Sequence, residues 1–124
     1  MSFENILRDI VENCGGGVGA ALMGSDGIAI AEYVAPQVPD GPLSEDIGVA
    51  GVEFGRILEE TRKAADALGG GAVVETLVVL ARFSLLFRGV DDETFLVVVV
   101  TPDGNLGKAR YLMRRHLLAI RQEL

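Results

Sequence analysis

Two runs of three glycines constrain the fold more than any other feature of this sequence. Residues 15–17 and 69–71 each follow a segment of helical periodicity and precede an apolar segment rich in β-forming residues. A left-handed glycine closes the last carbonyls of a helix, so each run predicts a helix that ends where a strand begins. The spacing of Gly15, Gly17 and Ala20 also matches a dinucleotide-binding fingerprint. That fingerprint needs a strand before its glycines and a helix after them, so the reversed order here predicts no bound cofactor.

Periodicity predicts eight elements in the order helix, two strands, helix, three strands, helix. The predicted elements are a helix from 2 to about 13, strands at 18–23 and 28–34, a helix from 44 to about 68, a hairpin within 73–90, the strand TFLVVVV, and a final helix that Asn105 caps. The hairpin follows from length, because one strand over 73–90 would span ~60 Å, and its turn is expected near residues 82–84. Five antiparallel strands and three helices predict an α+β sandwich, in a single domain over residues 1–124.

The composition limits the environment and the partners of the chain. It has 124 residues, a net charge of −7 and an isoelectric point near 4.6. Such acidity argues against nucleic acid as a partner, because its phosphates would be repelled. No apolar run approaches the ~20 residues of a membrane-spanning helix, so we expect no membrane insertion. The start of the sequence lacks the pattern of a signal peptide, and the lone Cys14 fits a reducing compartment, so we expect a cytoplasmic protein.

Residues that carry chemistry are few. Cys14 and His116 are the only candidate nucleophile and base of the cysteine-protease kind, both at helical positions and without an evident oxyanion device or orienting acid. One Cys and one His do not make a zinc site. The segment GNLGKA is similar to the end of a Walker A loop, but Ala109 replaces the hydroxyl residue that would bind Mg²⁺. We expect no catalytic residue, no metal site and no enzymatic activity.

The second predicted helix has two different faces. Its apolar stripe, expected to lie on the sheet, contains Ile47, Ala50, Phe54, Ile57, Ala65 and Leu68. Its charged face contains Glu53, Arg56, Glu59, Glu60 and Lys63, with Val49 and Val52 among them. Apolar anchors within a polar rim are typical of a docking patch, although scattered surface valines are also common. The residues that we predict to bind a partner are Val49, Val52, Glu53, Arg56 and Glu60.

Three glycines, Gly48, Gly51 and Gly55, form a seam between those two faces. Each costs ~1 kcal/mol relative to alanine inside a helix, so three glycines at three- and four-residue spacing need a reason. The close approach of another backbone is one reason. Tight packing against the protein's own sheet is the other, since such packing also uses small residues.

The last predicted helix is the most basic segment of the chain. Lys108, Arg110, Arg114, Arg115 and Arg121 are five of its eleven basic residues. A solvated helix face explains them, and a docking surface for an acidic partner is the alternative.

Three segments resemble the Roadblock/dynein light chain family. The segment VGAALMGSDGIAIAEYV is similar to the opening hairpin of the family, with its strand of small residues and its Asp-Gly turn. AVVETLVVL resembles the third strand, and NLGKAR resembles the Leu-Gly-x-x-Arg entry to the last helix. The resemblance covers roughly residues 3 to 124, and the proline-rich loop at 35–42 departs from it.

The resemblance implies a Roadblock-like fold, related to the profilin and longin sandwiches, and a homodimer or a heterodimer with a paralogue. Dimers of the family join their sheets where the third strand and the second helix meet their counterparts. Here that contact would involve Gly48, Gly51, Gly55, Thr76, Val78 and Leu80. Such dimers are platforms for Ras-like small GTPases, and some bacterial members, of the mutual gliding type, activate the GTPase by rearranging the GTPase's own residues. The alternative is a structural module for a motor or signalling complex without GTPase regulation.

Overall fold

The computed structural model describes residues 2–39, 41, 43 and 47–124, and the side chains of residues 48–50 lie outside the described part. Its elements are α1 (Phe3–Asn13), β1 (Gly17–Gly24), β2 (Ala29–Val34), α2 (Ile47–Ala67), β3 (Glu75–Val79), β4 (Ser84–Asp91), β5 (Thr94–Val100) and α3 (Leu106–Glu123). The strands form one antiparallel sheet in the order β2-β1-β5-β4-β3. The predicted fold class and element order are confirmed.

The sheet lies between two helical layers. α1 and α3 pack together on one face, and α2 packs on the other face against β1 and β2. β5 is central and buried along its whole length, as its unbroken apolar run predicts. Its alternate side chains enter two cores, because Leu96 and Val98 face α1 and α3 whereas Val97 and Val99 face α2. None of the described helices is long and apolar enough to cross a membrane.

Two helices begin at side-chain caps. Ser2 Oγ accepts a hydrogen bond from the backbone N–H of Asn5 at 3.2 Å, and Asn105 Oδ1 accepts one from the N–H of Lys108 at 2.9 Å. These bonds satisfy first-turn donors that have no partner inside the helix. The predicted N-cap at Asn105 is confirmed, and the first helix begins at the predicted position. The predicted start of the second helix, Ser44, lies outside the described residues.

The first glycine run closes α1 and packs against the connection between β5 and α3. Gly15 and Gly16 have φ angles of 76° and 87°, in the left-handed region that favours glycine. The Gly15 carbonyl accepts a hydrogen bond from the N–H of Asn105, and the Gly16 carbonyl accepts one from Thr101, both at 2.9 Å. A Cβ on Gly16 would lie 2.8 Å from the Cα of Gly104. The two segments that are similar to phosphate loops therefore form a backbone contact with each other.

The orientation of α2 differs from the predicted one. Ile57 is 53% exposed and Leu68 is 85% exposed, so neither lies on the sheet. The face that meets the sheet carries residues spaced by four, three and four positions: Ile47, Gly51, Phe54 and Leu58. The predicted stripe was wrong at Ile57 and Leu68. Gly51 occupies one of the inward positions, and because a glycine adds no apolar side chain, the spacing of apolar residues does not show which face meets the sheet.

The long β-rich run forms the predicted hairpin. β3 ends at Val79 and β4 begins at Ser84, and between them the N–H of Leu80 donates to the carbonyl of Phe83 at 2.9 Å. The strands separate close to the predicted position. Within the described sheet, β3 is therefore an edge strand whose one neighbour is β4.

Candidate partner-binding groove

A groove of about 820 Å³ runs between the outer side of α2 and the turn that joins β1 to β2. Its lining combines the turn with one side of the helix: Ser25, Asp26, Gly27, Val52, Glu53, Gly55, Arg56, Ile57, Glu59, Glu60, Thr61 and Ala64. Four of the five residues predicted to bind a partner therefore share one groove, namely Val52, Glu53, Arg56 and Glu60. The fifth, Val49, lies in α2, but its side chain is outside the described part.

The β1–β2 turn has a backbone that lets it lie close to α2. Asp26 Oδ1 accepts the N–H of Ile28 at 3.0 Å, and the N–H of Gly24 donates to the Ile28 carbonyl at 2.9 Å. Gly27 has a φ of 84°, and a Cβ there would lie 3.1 Å from Cγ2 of Val52. The sequence predicts this turn from its Asp-Gly pair. It does not predict that the turn forms one wall of the groove, because no local spacing links residue 27 to residue 52.

The groove places exposed apolar side chains within a charged rim. Val52 is 47% exposed and Ile57 is 53% exposed. Ion pairs along α2 form the rim: Arg56–Glu53 at 3.5 Å, Lys63–Glu60 at 3.3 Å, and Arg62–Glu59. Exposed pairs of this kind contribute only ~0–1 kcal/mol each, so their members can exchange partners when another protein approaches.

Two rim residues hold each other in the charged state. The hydrogen bond from Arg62 lowers the pKa of Glu59 below its ordinary value, and the same bond raises the pKa of Arg62. Glu and Arg side chains are charged at neutral pH even without such a pair, and this pair strengthens that preference, so the rim carries both signs of charge.

The predicted dimer residues on the third strand follow the free edge of the sheet. Thr76 and Val78 are half-buried, and their cross-strand neighbours Phe87 and Leu85 belong to the core that faces α2. Leu80, just after β3, is 41% exposed. The outer edge of β3 carries no described strand, and an unpaired edge with apolar side chains is a template for pairing with another chain.

The glycines of the α2 seam have different surroundings. Gly51 is buried, and a Cβ there would lie 2.1 Å from Cε of Met23 on β1. At Gly55, no described atom beyond the local helical backbone lies within 4 Å of the Cβ position. The surroundings of Gly48 lie outside the described part. Packing against the protein's own sheet therefore explains Gly51, whereas the surface at Gly55 is open to another chain.

Arg110, the arginine of the Leu-Gly-x-x-Arg segment, ties α3 to β3. Its Nε donates to both carboxylate oxygens of Glu75, at 3.0 and 3.1 Å. The pair is partly buried, with the two side chains 36% and 29% exposed. The contact holds the start of the edge strand against α3, so this arginine has a structural role in the chain.

Cys14 and His116 are hydrogen-bonded to other groups and not to each other. The Cys14 thiol donates to the carbonyl of Val11 at 3.7 Å, and burial raises the pKa of that thiol, which disfavours the nucleophilic thiolate. His116 Nε2 lies 2.6 Å from Oδ2 of Asp9, an acid that the sequence does not indicate because it is 107 residues away. Within the described residues, no group of three or more His, Cys, Asp or Glu side chains is placed to hold a metal ion.

Comparison with known proteins gives matches among solved structures. No protein-family model matches the chain, and no curated protein matches it. The crystal structure of MglC from Myxococcus xanthus is 32% identical, with 100% of both chains covered and a TM-score of 0.70. A Roadblock/LC7 domain from Streptomyces avermitilis is 16% identical, covers 99% of this chain and 98% of its own, and has a TM-score of 0.84. MglB in a tetrameric arrangement is 20% identical over 95% of this chain and 84% of its own, with a TM-score of 0.84.

Proposed function

This chain belongs to the Roadblock/LC7 family, and from that membership we propose that it is a dimeric platform for a Ras-like small GTPase. The observation that carries the proposal is the groove beside α2, where Val52 and Ile57 are half exposed inside a rim of ion pairs. Covering these two side chains would contribute ~1 kcal/mol each, which favours a protein partner over solvent at this position. The charged residues around them would orient that partner.

The free edge of β3 supports the dimeric part of the proposal. In an antiparallel pair of β3 strands from two copies, a two-fold axis perpendicular to the sheet relates the copies. The sheets would then be continuous, and both α2 helices would lie on the same face. Exposed Leu77 and Val79 on β3 would be covered in part, and the open surface at Gly55 leaves room for a neighbouring helix. The tetrameric arrangement of MglB is a further reason to expect association.

A binding experiment tests the GTPase proposal. Each Ras-like small GTPase encoded in the source genome is purified, loaded with GDP or a non-hydrolysable GTP analogue, and titrated with the full chain in a calorimeter. We expect one of them to bind, and we expect Val52→Asp to abolish binding, because the substitution places an unpaired charge in the contact.

The matched control is Leu118→Asp, on α3 and across the sheet from the groove. Leu118 is also exposed, at 64%, so it accepts the same change of chemistry at little structural cost. Loss of binding in Leu118→Asp but not in Val52→Asp would move the site to α3. If no GTPase binds the wild-type chain in either nucleotide state, the structural module without GTPase regulation replaces the proposal.

Substitution of Arg56 distinguishes a role in binding the GTPase from a role in stimulating GTP hydrolysis. Its side chain is 79% exposed, and its ion pair with Glu53 lies on the surface of its own helix. The guanidinium is therefore accessible to a partner. We expect Arg56→Ala to reduce affinity without abolishing stimulated GTP hydrolysis, because the family implies that the residues of the GTPase do the chemistry. A complete loss of stimulation at saturating concentrations would assign Arg56 a direct role in the reaction.

A further inference from the structure

The basic residues of α3 form a second surface that the proposed function does not use. This helix carries five cationic side chains and one carboxylate, whereas the whole chain has a net charge of −7. Arg110 is paired with Glu75, and Arg121 donates to the Val90 carbonyl at 2.7 Å. The side chains of Lys108, Arg114 and Arg115 are exposed and make no hydrogen bond or ion pair with any described residue. Arg82 and Arg88 elsewhere in the described part also make no ion pair. A solvated face explains charge on this helix, but it does not explain why three such cations of an acidic chain share one helix.

Apolar side chains lie between these cations. Tyr111 is 54% exposed and Leu118 is 64% exposed, and their seven-residue spacing puts them on the same line of the helix, ~10 Å apart. At ~100° per residue, Lys108 and Arg115 lie on one side of that line and Arg114 lies on the other. An apolar line flanked by cations on both sides is the arrangement of a docking surface, with anchors at the centre and charges at the rim.

We propose that this face of α3, defined by Lys108, Tyr111, Arg114, Arg115 and Leu118, binds an acidic amphipathic helix of a partner protein. The spacing of Tyr111 and Leu118 matches two turns of a partner helix, which presents apolar side chains at positions i and i+7. Carboxylates beside those apolar side chains would meet the cations on either side. Because α3 lies across the sheet from α2, both surfaces can be occupied at the same time.

The neighbouring helix favours a narrow partner over a broad anionic surface. α1 packs beside α3 and carries three carboxylates, Glu4, Asp9 and Glu12, against one cation, Arg8. A membrane or a nucleic acid duplex wide enough to cover both helices would bring its negative charges toward these carboxylates, which repel them. A single helix can follow α3 alone.

The test uses the full-length protein and a fluorescein-labelled synthetic peptide. The peptide is helical, with leucines at heptad spacing and glutamates on either side of them, and a second peptide has the same composition in scrambled order. Binding is followed by fluorescence anisotropy at increasing salt. We expect the patterned peptide to bind better than the scrambled one, and Arg114→Glu with Arg115→Glu to weaken binding by about tenfold.

Matched variants distinguish this surface from a general charge effect. Arg82→Glu, in the exposed β3–β4 turn, makes the same charge change as Arg115→Glu alone, which should weaken peptide binding. Leu68→Ser, just past the end of α2, makes the same apolar-to-polar change as Leu118→Ser. We expect neither to alter peptide binding, whereas Leu118→Ser weakens it. Equal effects of the two members of either pair, or equal binding of the two peptides, would overturn the proposal. Tighter binding to phosphatidylserine vesicles or to an oligonucleotide would also overturn it.

The result is separable from that of the GTPase experiment. Arg115→Glu changes α3 alone, so we expect it to leave GTPase binding unchanged, while Val52→Asp leaves peptide binding unchanged. If either variant removes both kinds of binding, the two surfaces are not independent and the proposal fails.

Discussion

Alanine substitutions at two glycines of α2 should change stability in opposite directions. At Gly51 the new Cβ would lie 2.1 Å from Cε and 3.0 Å from Sδ of Met23, a side chain that is 0% exposed. Moving the end of a buried methionine in a packed core costs about 1–3 kcal/mol, and alanine in a helix returns about 1 kcal/mol. Gly51→Ala should therefore lower the free energy of unfolding by about 1 kcal/mol.

At Gly55 the steric cost is absent, and only the helix preference of alanine over glycine changes the stability. Nothing beyond its own helical turn lies within 4 Å of the Cβ position among the described residues. Gly55→Ala should therefore raise the free energy of unfolding by about 1 kcal/mol, as expected when alanine replaces glycine inside a helix without a steric clash. The two variants have the same composition, so they should differ by about 2 kcal/mol through their surroundings alone.

Urea denaturation followed by far-ultraviolet circular dichroism measures the difference. Wild type and both variants are compared at several equal protein concentrations, because dissociation of a dimer would make the apparent stability depend on concentration. A Gly51→Ala protein at least as stable as Gly55→Ala would contradict this prediction, since the methyl group would then meet no obstacle at Met23.

Three further predictions concern the core, the edge strand and the dimer. Arg110→Ala should lower the free energy of unfolding by about 1 kcal/mol, because it leaves the partly buried Glu75 without its charged donor, and unchanged urea denaturation would contradict this. Cys14 is 0% exposed, and burial also raises the pKa of its thiol, so it should react with a thiol reagent only after denaturant is added. Rapid labelling of the folded protein would show that the thiol is accessible. Gly55→Leu should weaken self-association in sedimentation velocity, because its side chain would occupy the open surface beside a second α2. If the dissociation constant of the Gly55→Leu homodimer equals that of the wild type, Gly55 does not lie in the dimer contact.

Features of the fold that depend on neighbouring residues were predictable from the sequence. The start of the first helix at residue 2, the N-cap at Asn105, the turn at Asp26 and Gly27, and the central apolar strand each depend on a few adjacent residues. The order of elements followed from them, because each glycine run separates a helix from a strand. Local chemistry was therefore enough to give the fold class.

Features that depend on distant contacts were not predictable. The orientation of α2 is set by Phe54, which packs against Phe87 with ring centroids 5.3 Å apart, and by Gly51 against Met23. A helix with apolar residues on several sides allows more than one inward stripe, so periodicity alone selected the wrong residues. The groove likewise depends on contacts between residues that are distant in the sequence. Four of its residues were predicted from the outer face of α2, but the turn that completes it comes from a hairpin more than twenty positions earlier.

A hydrogen–deuterium exchange footprint of the chain, with and without a bound GTPase, tests directly whether the GTPase docks in the groove beside α2. We expect slower exchange of backbone amides in residues 25–28 and in the part of α2 that lines the groove, with α3 unchanged. Protection of α3, or of the β3–β4 turn, with no change at residues 25–28 and in α2 would contradict it and place the GTPase on another surface.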